Sequence, residues 1–375
     1  MMSLRENCQS LFVFLFFTLT ACSPMPMSGV DAGVVTDAGV VLDAGQPLDA
    51  GAEADAGVDA GVVVVPTGWA PTTGTPYPTG LWGTVLAFDP VDRRFILHGG
   101  NRSPMGSVQN ETWSFSIATS TWTKLTTTGP MMPYRYCHCT TYLPAQRQVL
   151  IVGGRNVNAP VDSAYTLDLA TLEWTQVTGT VPTGGIGCSA HWLGGSVNRA
   201  IVFGGDGVGG VNARTWSYDP TARTFTLLTP ATSAAARRDG MSVVDGNNRV
   251  LLFGGAVQIM SSYLDDVATF DGTTWTQAMN LGTRPSPRRY GATGFDGLRQ
   301  KWVVFGGTND ADSYDDLWVV DPATLAFEQR TLPGKPTARG FAASGVDETT
   351  GVLYVFGGLN AAFQAKSDGF TLKLQ

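Results

Sequence analysis

The sequence predicts an all-β domain built from six copies of one four-stranded unit set in a ring. Three observations predict it. Glycine doublets begin at Gly99, Gly153, Gly204, Gly254, Gly306 and Gly357, at steps of 54, 51, 50, 52 and 51 residues. A short apolar run precedes each doublet, as in Leu150-Ile151-Val152 and Val303-Val304-Phe305. An aromatic residue, at Trp69, Trp122, Trp174, Phe225, Trp275 and Phe327, stands 29 to 31 residues ahead of each. A fixed period near fifty is the mark of a repeat architecture.

Each element has its reason. The apolar runs are continuous rather than alternating, so these strands are buried on both faces, as happens when sheets pack face to face. Gly-Gly lets the backbone turn in conformations that a Cβ forbids. Trp216-Ser217-Tyr218-Asp219-Pro220 and Trp318-Val319-Val320-Asp321-Pro322 read as a strand running into a tight turn, since Asp bonds the backbone ahead and Pro presets φ. Apolar run, doublet, aromatic strand, then Trp resembles the kelch repeat, over residues 67–375. The resemblance implies a six-bladed β-propeller with four antiparallel strands per blade. Trp69 has no strand of its own unit ahead of it, and the chain ends just after Phe370-Thr371-Leu372. The segment around Trp69 is therefore expected to supply the last blade's fourth strand, a closure common in kelch propellers. Deleting residues 67–75 should sharply lower the melting temperature.

The N-terminus has a different character. Arg5 precedes an apolar stretch from Leu11 to Leu19, too short to span a bilayer but suited to a signal segment. Leu19-Thr20-Ala21-Cys22 resembles a bacterial lipobox, which implies lipidation of Cys22. Residues 1–21 are thus expected to be a lipoprotein signal peptide. Asp-Ala-Gly then recurs at Asp31, Asp37, Asp43, Asp49, Asp55 and Asp59. No aromatic residue or base interrupts it, and it cannot bury enough apolar surface to fold. Residues 22–66 read as an acidic, disordered stalk, similar to those of myxobacterial surface lipoproteins. The expected address is outside the cytoplasm, lipid-anchored to the cell envelope. The absence of Asp after Cys22 leans towards the outer membrane.

Charge follows this division. Charged residues are only 15% of the chain and the net charge is −7, which excludes a bulk nucleic-acid binder. Seven of the acids lie in the stalk, and residues 67–375 hold 23 acids and 23 bases. The domain is neutral, and a monomer is expected.

Candidate site residues gather where the inter-blade loops enter the innermost strands. Arg135, Arg238, Arg289 and Arg339 precede their doublets by 18, 16, 17 and 18 residues. One reading is a ring of guanidiniums around the channel mouth, whose rigid forks suit carboxylates or phosphates of an acidic peptide or glycan. The other is structural, since kelch repeats often carry Arg there. Tyr136, Tyr290, Trp82 and Trp192 lie beside these sites and could stack on a sugar or pack between blades. His98 takes the place of an apolar residue before its doublet and reads as core. Cys137-His138-Cys139, with Cys188 and His191, invites a metal. Strand alternation, which would put Cys137 and Cys139 on one face with His138 opposite, argues against one. Cys137 and Cys188 hold the same place in adjacent blades and could form a disulfide. The acidic stretch 309–316 lacks the features of an EF-hand loop and reads as a solvated loop.

The first functional expectation is a noncatalytic binding module without cofactor or metal. The alternative is a propeller enzyme acting on an acidic sugar, similar to sialic acid mutarotases. That chemistry needs a general acid or base, for which Asp239 and His138 are the candidates.

Overall fold

The computed structural model describes residues 67–72, 78–102, 107–258 and 260–375. The signal segment, the lipidation site Cys22 and the stalk expected at residues 1–66 lie outside the described residues. All described residues belong to the unit Gly61–Gln375. They form six four-stranded antiparallel sheets, and no helix.

The sheets are the blades of a six-bladed β-propeller. In the third blade the strands run Ser189–Leu193, Arg199–Phe203, Thr215–Asp219 and Thr224–Leu228 from the axis outward, each paired with the next. The innermost strands of the six blades are Leu86–Asp89, Cys139–Leu143, Ser189–Leu193, Met241–Val244, Ala292–Asp296 and Ala343–Asp347. Each touches its two neighbours around the axis, the last touching the first, so the ring is closed. The apolar runs before the doublets are the second strands, and from Leu150 to Val152 exposure is at most 1%.

Closure is made by the N-terminal strand. Gly68–Pro71 pairs antiparallel with Gly369–Lys373, with Trp69 opposite Leu372, and completes the last blade. The chain enters at Gly68, opposite Lys373, at the end of the blade where the turns between first and second strands lie. The loops between second and third strands, and those between blades, lie at the opposite end. We call these ends the turn face and the loop face.

The two sequence landmarks are packing partners across blades. The fourth-strand aromatic of one blade covers the residue before the glycine doublet of the preceding blade. Trp275 lies 4.4 Å from Phe203, Trp69 4.7 Å from Phe305, Trp122 4.8 Å from Phe356 and Phe327 5.2 Å from Phe253, between ring centroids. His98 occupies this seat in the first blade, 5.0 Å from Trp174. Such large rings dominate burial between sheets.

The doublets serve the same closeness. Gly99, Gly153, Gly204, Gly254, Gly306 and Gly357 all have φ between 65° and 68°. A Cβ on Gly254 would fall 2.6 Å from the Arg288 carbonyl oxygen of the next blade, so these positions need glycine both for conformation and for space. The fourth blade departs from the pattern. Its second and third strands, Val250–Gln258 and Ser262–Phe270, run nine residues each and continue past the doublet as a long hairpin.

Candidate functional site

Each innermost strand begins from one residue in the left-handed region: Gly83, Cys137, Gly187, Asp239, Tyr290 and Phe341, with φ from 52° to 68°. Their backbones form a closed circuit. Cys137 N donates to Gly83 O (2.6 Å), Gly187 N to Cys137 O (2.6 Å) and Asp239 N to Gly187 O (2.7 Å). Tyr290 N donates to Asp239 O (3.0 Å), Phe341 N to Tyr290 O (3.0 Å) and Gly83 N to Phe341 O (3.1 Å). Four non-glycine residues accept a conformation costing roughly 1–2 kcal/mol each, offset by hydrogen bonds that join all six blades. The central channel narrows at this end to a ring of six linked peptides.

The four arginines do not form one ring at the mouth. Arg135 and Arg339 are almost fully buried and belong with Arg237 and Arg288. In all four, Nη1 donates to the carbonyl of the first doublet glycine of the same blade: Gly153 (3.0 Å), Gly254 (2.9 Å), Gly306 (3.1 Å) and Gly357 (3.0 Å). The guanidinium also holds the residue just before the third strand, Ser163, Asp316 or Asp368, or in the fourth blade Asp266 within it. These are braces, and the expectation of ligand-binding forks at Arg135 and Arg339 is corrected by their burial. The sequence holds Arg237-Arg238 and Arg288-Arg289 pairs, and the brace is the first of each. An Asp or Ser stands 28 or 29 residues downstream of each brace, but Asp266 is 28 residues from Arg238 as well, so this spacing does not tell Arg237 from Arg238.

Arg238 and Arg289 are the second of each pair and turn towards the axis. Arg238 Nε and Arg289 Nη1 both donate to Asp239 Oδ2, at 2.8 and 2.7 Å. Arg238 also pairs with Asp206 (2.9 Å) and Arg289 with Asp310 (2.5 Å), whose carboxylate accepts from the Tyr263 hydroxyl. Both arginines are about 5% exposed, so each fork is already filled by carboxylates. The stretch 309–316 is correspondingly not a simple solvated loop, since Asp310 and Asp316 bind Arg289 and Arg288.

The aromatic residues beside the ring pack against one another. Tyr290 stacks on Phe341 at 4.0 Å, and Trp82 meets Tyr136 and Phe341 edge-on at 5.1 and 5.4 Å. Arg155 lies over the Tyr136 ring at 5.8 Å and meets no carboxylate among the described residues. Around this centre the loop face carries most of the large apolar side chains left exposed among the described residues. Val157, Val208, Met260 and Phe363 sit on connections between second and third strands, Val257 on the extended end of the fourth blade's second strand, and Met131, Tyr134 and Met279 between blades. Met260 tips the long hairpin of the fourth blade, 81% exposed.

The disulfide joins Cys139, not Cys137, to Cys188, with Cα atoms 5.4 Å apart. Cys137 stands in the ring at φ 52°, ahead of the strand that starts at Cys139, so period-two alternation does not reach it. It is a buried free thiol, pushed up to about 11 by burial and by Asp239. His138 is buried against His98, ring centroids 6.2 Å apart. Burial, then Arg135, pushes its pKa down to about 3. Among the described residues no three His, Cys, Asp or Glu side chains are grouped to hold a metal ion.

The channel itself is a cavity of about 770 Å³, open towards the turn face. Residues of all six inner strands line it, mostly in unbroken runs such as Cys137–Tyr142 and Gly187–Trp192. The middle tier carries Thr140, Ser242, Thr293 and Ser344; the outer tier carries Phe88, Tyr142, Trp192, Val244, Phe295 and Val346. No lysine or arginine among the described residues lines it. The sequence gives no warning of this wall, because the same side chains also pack between blades, as Trp192, Tyr142, Phe295 and Val346 do.

A family model for the KLHDC2/KLHL20/DRC7 Kelch-repeats domain matches residues 86–297 and 226–375. The chain is 28% identical over 233 residues to acyl-CoA-binding domain-containing protein 4 of Arabidopsis thaliana, covering 58% of this chain and 34% of the relative. It is 28% identical over 251 residues to human Kelch domain-containing protein 3 (59% and 62%). It is 32% identical over 219 residues to the bovine Rab9 effector protein with kelch motifs (52% and 55%). The chain thus spans less than two thirds of each of these relatives.

Proposed function

The chain belongs to the kelch-repeat family, and from that premise we propose that it is a noncatalytic protein-interaction module, displayed outside the cytoplasm on a lipid attached at Cys22. The concentration of exposed apolar side chains on the loop face carries this reading. Exposed methionines such as Met131, Met260 and Met279 adapt to a partner's surface. The name of one relative, the Rab9 effector, marks a protein partner for that protein.

The partner's acidic groups find little at Arg238 and Arg289, where Asp206, Asp239 and Asp310 already neutralise the guanidiniums. Arg155 and Arg214, on loops between second and third strands, meet no carboxylate among the described residues and are left to meet one. Display outside the cytoplasm is supported by the Cys139–Cys188 bond, since such bonds persist in oxidising compartments. The first described strand begins at Gly68 on the turn face, the end away from the loop face.

A photo-crosslinker placed at Met260 or Val208 in cells should trap a protein, and one at Leu298 or Val91 on the turn face should not. Equal trapping from both faces, or none from the loop face, overturns the reading. Cys22→Ala should release the chain from membranes; retention would overturn the anchor.

A further inference from the structure

We propose that the central channel is a second binding site, separate from the loop face, that takes a neutral polyhydroxylated ligand of monosaccharide size entering from the turn face. The cavity of about 770 Å³ lies within the range of small-molecule sites. It narrows to the hydrogen-bonded ring at one end, so a ligand enters and leaves by the other.

The chemistry of the wall selects the ligand. Its hydroxyls spend their protons on main-chain carbonyls: Thr140 on Leu150 O (2.8 Å), Thr293 on Val303 O (2.9 Å) and Ser344 on Thr293 O (2.9 Å). Thr293 Oγ1 and Ser344 Oγ each also accept one bond, from Trp302 Nε1 (2.7 Å) and Thr293 N (2.9 Å), so each keeps one lone pair that a ligand O–H donor can meet. The inner strands also present their unpaired edges to the channel, supplying main-chain donors and acceptors side by side. A hydroxyl both donates and accepts, so a polyol matches such a wall.

Nearer the mouth, Trp192, Tyr142, Phe295 and Phe88 form an aromatic collar with Val244 and Val346. Ring faces of this kind cover the apolar C–H face of a sugar while their polar edges stay wet. Charge excludes the acidic alternative. Among the described residues no Lys or Arg lines the wall; of the carboxylates that do, Asp239 is held by Arg238 and Arg289 and Asp245 by Arg249 Nε and Nη2 at 3.0 and 2.8 Å, while Glu348 at the turn-face end has no ion pair. An anion would enter with no countercharge, at a desolvation cost.

The full chain should be titrated with glucose, galactose and N-acetylglucosamine, with N-acetylneuraminate as an anionic contrast and choline as a cationic one. Intrinsic tryptophan fluorescence is read, and Trp192→Phe identifies the reporter. At least one neutral sugar should quench saturably with a Kd of about 1 mM or tighter, and both charged probes should bind roughly tenfold more weakly. Val244→Trp, which fills the collar, and Phe295→Leu, which thins it, should each weaken that binding while retaining the parent's melting transition. Binding of no neutral sugar below roughly 10 mM overturns the proposal. So does preferential binding of either charged probe, or unchanged binding in a folded Val244→Trp variant.

Discussion

Trp69 and Phe305 sit 4.7 Å apart between ring centroids, although 236 positions separate them in the chain. The first described strand thereby repeats, at the seam, the contact that Trp275 makes with Phe203 inside the ring. Trp69 is 7% exposed and also packs with Leu353, Val355 and Leu372. Trp69→Ala should destabilise the propeller by about 3 kcal/mol, in the range for aromatic truncation in a core. A thermal melt indistinguishable from the parent would show that the seam carries no stability. Removing residues 67–72 should lower the melting temperature further, because it also frees the edge of Gly369–Lys373.

Asp239 holds two guanidiniums from two blades through a single oxygen. Asp239→Asn keeps the shape and suits the positive φ of 64°, but leaves Arg238 and Arg289 facing each other without the shared charge. Breaking a buried pair in this way costs about 3 kcal/mol. Glu328→Gln, which breaks the exposed pair with Arg330, should change stability by less than about 1 kcal/mol. Urea denaturation of both variants checks the contrast, and similar midpoints would refute it.

Acid should loosen the first and second blades before the carboxylates protonate. His138 is pushed down to about 3 by burial and Arg135, and His98 falls well below its ordinary value through burial, His138 and Arg135. In the unfolded chain both take up protons near pH 6.5. Between about pH 6.5 and pH 3 the unfolded state therefore binds more protons, so stability is complete above that window and declines as pH falls through it. The melting temperature should drop between pH 7 and pH 4.5, and His138→Phe should flatten the drop. Both His138 ring nitrogens lack a hydrogen-bond partner, so the variant should lose little at neutral pH. An unchanged acid slope in His138→Phe would assign the effect elsewhere.

The ring, the blade count and the closing strand were legible because they repeat: a doublet and a large aromatic residue are local signals, and fixed spacing adds them together. The site was less legible. Arg237 and Arg238 are chemically identical neighbours, and only their backbone directions send one to Gly254 and the other to Asp239. Cys137 looked like the next member of a strand, yet its left-handed backbone removes it from the alternation. Nothing in composition marks that conformation, since Gly, Cys, Asp, Tyr and Phe all adopt it at this place in the repeat. The channel lining was hidden for a related reason: its tiers are spread over six strands, and none contributes more than a few positions.

The position of Gly68 has a mechanical consequence. Any chain upstream of residue 67 is joined to the propeller at the turn-face end of the closing strand, opposite the end where Pro71 pairs with Phe370. Tension between that upstream chain and anything gripping the loop face runs along the strand rather than across it. Four residue pairs from Gly68–Lys373 to Pro71–Phe370 then bear the load together, in shear, instead of opening one after another. The same strand that seals the ring is oriented to resist being pulled out of it.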